Sequence, residues 1–378
     1  MPEPKTVFVT GTTGFLGSHL ALRLLQDGYQ VRALARGSKS TSPDERVVQT
    51  LRDVAGAAEE LQPYLANLQV FQGDISQQNF GLNEADRRSA LSVDEVWHCA
   101  ASLSFADEDR DEIFRMNVQG TEHLLALVDQ TRTKRLHHVS TAYVAGNRPD
   151  LALETEIDVG QTFKNAYEES KCRSELLVAE AANQGRAVVT VYRPSIVIGE
   201  SATGRITHFH GVYAFVRALW SVLERLRRGL PQDSVVHLPL RVLGSPSGTL
   251  NFVPIDYVVN AMVTIDRNPA SVGRTYHLTN PEPTSNALWL SQFCRILRVD
   301  GLELAAPEEF IARPMTKLEM MFQKQMAFYY MYLQGEPRFD CRQTLEALRG
   351  TGIECPPVTP EFIQKMAGWY LNYLNNVQ

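Results

Sequence analysis

Along the first 200 residues, short runs of β-branched and aromatic residues alternate with longer stretches whose apolar positions recur at helical spacing. The short runs are TVFVTG (6–11), VRALAR (31–36), LQVFQGDI (68–75), EVWHCAA (95–101), RLHHVST (135–141) and AVVTVYRPS (187–195). Runs of this kind, apolar with little alternation, suit strands covered on both faces. Helical stretches lie near 15–27, 45–64, 110–131 and 164–184. SHLALRLLQDG shows the pattern plainly and stops at Gly28, a helix-ending residue. Strand and helix in alternation predict an α/β fold. Right-handed crossovers then give a doubly wound parallel sheet, with any ligand at the carboxyl ends of its strands.

After about residue 196 the rhythm changes. Residues 205–230 are aromatic and basic at helical spacing, and 231–250 are rich in Pro, Gly and Ser. Two further strand-like runs, NFVPI (251–255) and RTYHLTN (274–280), flank the helical DYVVNAMVTI, and the last hundred residues read as largely helical. The expected organisation is a Rossmann-type nucleotide-binding domain over 1–200, with 251–280 returning to it. A smaller, mostly helical substrate-binding or lid lobe takes 201–250 and 281–378 and covers the mouth of the first.

Composition narrows the picture. Apolar residues make up 44% and charged residues 21% of the 378, an ordinary balance for a soluble globular chain. A net charge of −6 without a basic run argues against nucleic acid as a partner. Cys99, Cys172, Cys294, Cys341 and Cys355 are scattered and form no CxxC pair, which suits reduced thiols and no metal site. The chain enters its first strand almost at once, and no apolar run reaches the length of a membrane span. A cytoplasmic protein without a leader or membrane span is expected.

Two stretches carry chemistry. TGTTGFLGSHL sets Gly11, Gly14 and Gly17, with Thr13, Phe15 and Leu16 between them, directly after the first strand and at the start of the first helix. Glycines there permit a tight turn, close approach of the backbone to a pyrophosphate, and close packing of helix on sheet. The helix N-terminus adds N–H groups and a positive dipole end. The spacing is GxxGxxG, a variant of the dinucleotide fingerprint. The second strand ends in LARGS, where Arg36, with Ser38 and Lys39 beyond it, suits a 2′-phosphate and favours NADPH over NADH. GDI, ending the third strand, puts Asp74 and Ile75 beside the adenine.

The other stretch is YEESK (167–171). Of thirteen tyrosines, only Tyr167 has a lysine four residues on, the spacing that puts both on one helix face. Upstream, VSTAYV offers hydroxyls at Ser140 and Thr141 at the end of the fifth strand. Reducing a carbonyl develops negative charge on its oxygen, which needs hydrogen bonds and finally a proton. A tyrosine near pKa 10 is a slow donor at neutral pH, and a neighbouring ammonium brings it down.

GTTGFLG, GDI, HCAAS, NVQGT, VSTAYV, YEESK and YRPSIVIG stand in the order seen in extended short-chain dehydrogenases/reductases. HVSTAYVAG, RPSIVIGESATG, GVYAFVRALW and NFVPIDYV resemble the fatty acyl-CoA reductase branch, called male-sterility-like, and the related thioester reductase domains. The resemblance spans at least residues 6–280 and extends weakly into GEPRFDCRQTLEAL. It implies Thr141, Tyr167 and Lys171 as the catalytic core, with alignment on Ala142 selecting Thr141 over Ser140 and Asn117 supporting the lysine through water. It also implies Ala100, Ala101 and Ser102 along the cofactor, and Pro194, Ser195 and Ile196 at its nicotinamide end.

The activity so implied is NADPH-dependent reduction of an apolar acyl thioester, on CoA or an acyl carrier protein, to aldehyde, with further reduction to alcohol left open. Three alternatives stay open: an aldehyde or ketone (hydroxysteroid-type) reductase, a nucleotide-sugar epimerase or dehydratase with tightly held NAD, and a non-catalytic NADP-binding sensor or scaffold, against which the retained Tyr167 and Lys171 speak. HFHGVYAFVRALWSVLERLRRGL and MTKLEMMFQKQMAFYYMYL suit either a lid over an acyl chain or plain helix–helix core. Arg225, Arg227 and Arg228 suit a CoA or phosphopantetheine entrance, a headgroup layer or a solvated face, so peripheral membrane contact stays open. Family habit suggests a monomer or homodimer.

Overall fold

The computed structural model describes residues 4–376 apart from 39, 210, 232, 233 and 328. The chain divides into two compact units. The first takes residues up to Pro194, Asp256–Leu278 and Phe339–Glu354; the second takes Ser195–Ile255, Thr279–Arg338 and the chain from Cys355 onward. The division thus falls at Pro194 instead of residue 200, 251–255 goes with the second unit, and 339–354 goes with the first.

The first unit is built on β1 (Thr6–Thr10), β2 (Gln30–Ala35), β3 (Leu68–Gln72), β4 (Glu95–His98), β5 (Arg135–Val139), β6 (Val188–Pro194) and β7 (Thr275–Leu278). They form one sheet in the order β7-β6-β5-β4-β1-β2-β3, every neighbouring pair parallel. Val7, Phe8 and Val9 are fully buried, and all four residues of β4 are buried, as expected for strands covered on both faces. The order reverses between β1 and β4, which opens a crevice at their carboxyl ends.

Helices cover the sheet for local reasons. α1 (Phe15–Gln26) buries Leu20, Leu24 and Leu25. α2 (Pro43–Ala55) starts at a capping box of Ser42 and Glu45 and stops at Gly56, whose φ of 96° ends the expected 45–64 helix early. An unforeseen helix, Glu84–Leu91, begins where the Asn83 side chain accepts from Asp86 N. The stretch leading into α3 (Gly120–Val128) opens into a π turn over Arg115–Gln119, where uninterrupted helix was expected. α4 (Ala166–Asn183) is capped by Asn165, whose side chain accepts from Glu168 N at 3.0 Å.

At the amino edge of the sheet lies a buried ionic cluster. Lys5 Nζ donates to Glu95 Oε1 at 2.7 Å and Arg135 Nη2 to Asp266 Oδ1 at 2.6 Å, with His137 Nε2 3.3 Å from Asp266. Glu95, His137 and Asp266 converge as metal ligands do, yet Lys5 and Arg135 already match the two carboxylates with two cations. Burial opposes ionisation of Glu95, but His137 and Lys5 hold its pKa down to about 2.

The second unit contains a parallel pair, Val236–Leu243 with Val299–Ala305, and a short parallel pair, Ile196–Ile198 with Phe252–Pro254. Its helices include α5 (Val212–Leu226), α6 (Lys317–Met326) and α7 (Pro360–Asn376). Phe215 of α5 packs edge-on against Trp289 at 5.2 Å and Phe322 of α6 at 5.4 Å, and Arg241 Nε donates to buried Glu319 at 2.7 Å. The Val236–Leu243 strand was hidden by the Pro, Gly and Ser around it; Pro239 is tolerated because it faces outward. No helix among the described residues is long and apolar enough to cross a membrane.

Candidate active site

The glycine turn sits at the β1/β4 crevice. Gly11 has φ +78°, and a Cβ there would stand 2.7 Å from Ala100 N; a Cβ on Gly17 would stand 2.2 Å from Gly11 O. Both close approaches require glycine. Gly14, the N-cap of α1, has no side chain to offer the first turn and instead donates from N to Gly11 O at 2.9 Å. The helix therefore turns main-chain N–H groups and its positive end toward the crevice, past Thr13, Phe15 and Leu16, a cradle that fits a pyrophosphate.

At the end of β2, Arg36 is mostly exposed and lies 3.8 Å from Asp74 Oδ2. Asp74 Oδ1 also accepts from Ser76 N at 2.9 Å, and Ile75 is turned inward, its side chain against Gly120. Ser38 is absorbed locally, accepting from Thr41 N at 3.0 Å, and Lys39 lies outside the described residues. A cation not singled out from sequence joins this corner: Arg46 of α2 donates to the Arg36 carbonyl.

The loop after β4 is held by the π turn. Asn117 Oδ1 accepts from Ser102 N at 2.7 Å, and its Nδ2 donates to Ser102 O at 3.1 Å and Ser170 Oγ at 2.9 Å. Asn117 thus locks Ala100–Ala101–Ser102 to α4, and its own carbonyl accepts from Thr121 Oγ1 at 2.7 Å.

Thr141 and Tyr167 come together at the carboxyl end of β5, where the Thr141 hydroxyl opposes the rise in the phenol's pKa. Phe105 lies against the Tyr167 ring at 5.4 Å between centroids. Thr141 Oγ1 also lies 3.4 Å from Pro194 O, whereas the buried Ser140 hydroxyl finds no partner among the described residues. Lys171, one helical turn beyond Tyr167, is buried and donates from Nζ to Val139 O at 2.8 Å. Burial lowers its pKa to about 8, opposed by Glu175 a turn further on. Burial raises the Tyr167 phenol well above its usual value, opposed by Thr141. Glu175 is itself matched by Arg193, whose Nε donates to its Oε1 at 2.9 Å.

Two buried histidines behind the lysine escaped the sequence reading. His98 Nδ1 is 2.8 Å from Thr10 Oγ1, and the His98 and His138 rings stack at 5.5 Å. Burial, reinforced by the Lys171 charge, holds His98 down to about 3 and pushes His138 down as well, so both are neutral near pH 7. Ser195 and Ile196 fall in the second unit, where Ser195 Oγ donates to Asn251 Oδ1 at 2.7 Å. There too, Arg225 and Arg228 are exposed, while Arg227 donates to Leu297 O.

A parallel sheet in this order, a glycine cradle at its switch point and a Tyr–Lys pair on the crossing helix define an extended short-chain dehydrogenase/reductase that uses a nicotinamide dinucleotide. Within that class the chain belongs to the male sterility protein family of NAD-binding domains, which matches residues 9–262. It is 27% identical to the nonribosomal peptide synthetase asaC of Aspergillus flavus over 81% of this chain and 29% of that one. It is 26% identical to a carboxylic acid reductase of Mycobacterium marinum over 79% of this chain and 27% of that one. The chain therefore spans less than a third of either relative. Among solved structures, the terminal R domain from the myxalamid PKS-NRPS pathway superposes with a TM-score of 0.80 at 26% identity, covering 99% of this chain and 92% of that one.

Proposed function

We propose that this chain reduces an apolar acyl thioester, on CoA or an acyl carrier, to the aldehyde at the expense of NADPH. Tyr167 beside Thr141, one helical turn from buried Lys171, carries the reading. Thr141 orients the carbonyl oxygen, and Tyr167 gives it a proton as negative charge develops there. Burial keeps the Tyr167 proton in place until the substrate oxygen becomes basic enough to take it. Lys171, charged below about pH 8, stabilises the phenolate left behind. Asn117 holds the loop along which the dinucleotide lies. When bound, the reduced dinucleotide supplies the hydride that reaches the carbonyl carbon. The resulting hemithioacetal collapses with loss of its carbon–sulfur bond, so thioester, NADPH and a proton give aldehyde, thiol and NADP. A further two-electron reduction gives the alcohol.

Arg36 and Arg46 support NADPH, since two guanidinium groups at the end of β2 suit a 2′-phosphate. The peptide synthetase, carboxylic acid reductase and R-domain relatives support a carboxyl-level, carrier-borne substrate. We assign cofactor binding to the first unit and acyl recognition to the second, and the five free cysteines suit the reducing cytoplasm. The test is cofactor oxidation by the purified chain with acyl-CoAs, matching aldehydes and ketones, each with NADPH and NADH. Turnover of acyl-CoA with NADPH supports the proposal; turnover confined to ketones, or isomerisation without net cofactor oxidation, overturns it.

A further inference from the structure

α6 of the second unit has two faces of opposite character. Glu319, Phe322 and Met326 are buried, and their contacts with Arg241 and Phe215 complete that side. The opposite stripe, Lys317, Met320, Met321 and Lys324, follows i, i+3, i+4, i+7 spacing and faces solvent. Met320 and Met321 are each 48% exposed, and just before them stand Met315 at 42% and Ile311 at 81%. Single exposed apolar residues are ordinary on a soluble surface; four large ones between 311 and 321 are not.

Charge narrows what covers this stripe. Between 311 and 327 the exposed charges, Arg313, Lys317 and Lys324, are all positive, in a chain whose net charge is −6. Exposed Glu303 stands 3.7 Å from Arg313, which leaves the two lysines flanking the methionines as the cations of the stripe itself. A second copy of the chain is a poor occupant, because a two-fold contact would set these lysines against themselves. A lipid bilayer takes up protruding, flexible side chains without shape matching, and anionic headgroups suit lysines that reach past them.

We propose that the outer face of α6, with Ile311 and Met315, is a docking surface for an anionic lipid membrane. The methionines enter the headgroup–acyl boundary and Lys317 and Lys324 contact the anionic headgroups. This inference stands apart from the reaction proposed above.

The test is co-sedimentation of the full chain with vesicles of phosphatidylcholine alone or mixed with about one third phosphatidylglycerol. The anionic vesicles should bind at least about tenfold more tightly, given a factor of roughly five for each lysine at the surface. The Met320→Glu/Met321→Glu double variant should lose this binding while its circular dichroism and melting temperature stay those of the parent, since both side chains face solvent. Lys317→Glu/Lys324→Glu should lose the preference for anionic lipid. Absence of vesicle binding, or binding unchanged in the methionine variant, overturns the proposal. So does a stripe that instead drives self-association, or capture of an acidic carrier protein, with no binding to vesicles.

Discussion

On the proposed mechanism Tyr167 is the proton donor, a phenol that burial holds protonated. Replacing it with Phe keeps the ring against Phe105 and removes only the hydroxyl, so kcat for reduction should fall by about 10²-fold or more with little change in KM. On the same mechanism Lys171 sets the alkaline limit. Its pKa is lowered to about 8, so its charge is present below that pH and lost above it, and kcat/KM should decline as pH rises through about 8. Lys171→Arg, which cannot lose its charge, should move that decline upward; a profile unmoved in the variant would assign the limb to another group. At this scale the sequence was informative where chemistry is local. Tyr167 and Lys171 share a helix face by spacing alone, and Gly11, Gly14 and Gly17 announce a turn by composition. Arg46, His98, His138 and Ser170 gave no such signal, because each acquires its neighbour only when distant segments pack.

Elements show what holds that chemistry in place. A methyl group on Gly17 would meet the carbonyl oxygen of Gly11 at 2.2 Å, and a backbone atom cannot swing aside as a side chain can. Gly17→Ala should therefore weaken NADPH binding by about tenfold or more, as read from nucleotide fluorescence, through a shift of the turn proposed to receive the phosphates. Asn117→Ala leaves the Ser102 N–H and C=O without their shared partner, so urea denaturation should show a loss of about 1–3 kcal/mol. The strands of the first unit were legible because burial on both faces writes nearly continuous apolar runs. The π turn at Arg115–Gln119 was not: one extra residue in a helical turn changes no hydrophobic period that a short window can detect. Val236–Leu243 was missed for a different reason, since an outward Pro239 and exposed His237 interrupt its apolar run.

The whole molecule is two units whose chain crosses between them several times, and only part of that weave was readable. Segment 339–354 looked like the tail of a helical lobe, yet tertiary contacts tie it to the first unit. Glu154, buried, accepts from Gln343 N at 2.6 Å and from Thr344 Oγ1 at 2.8 Å, while His277 Nδ1 meets Asp340 O at 2.7 Å. Nothing in 339–354 alone specifies those partners. Global stability should carry the mark of the buried histidines. His98 and His277 are held to about 3, by burial first and then by the charges of Lys171 and Arg193 respectively. Unfolded histidines bind protons near pH 6.5, so as pH falls from about 6.5 toward 3 the unfolded chain gains protons that the folded chain refuses. The urea midpoint should decline steadily over that range. Glu95, held at about 2, adds its own loss only below its ordinary value near 4.5. A midpoint flat from pH 6.5 to 4.5 would contradict this account of the core.

The central claim joins residue to molecule: this family member breaks a thioester by way of Tyr167. Release of free thiol from an acyl-CoA, followed alongside NADPH oxidation in the parent chain and in Tyr167→Phe, tests it most directly. The account predicts thiol released in step with NADPH consumed in the first reduction, and both falling to background in the variant while NADPH binding is kept. Thiol release that persists in Tyr167→Phe, or NADPH oxidation on aldehydes and ketones with no thiol released from any thioester, would contradict it.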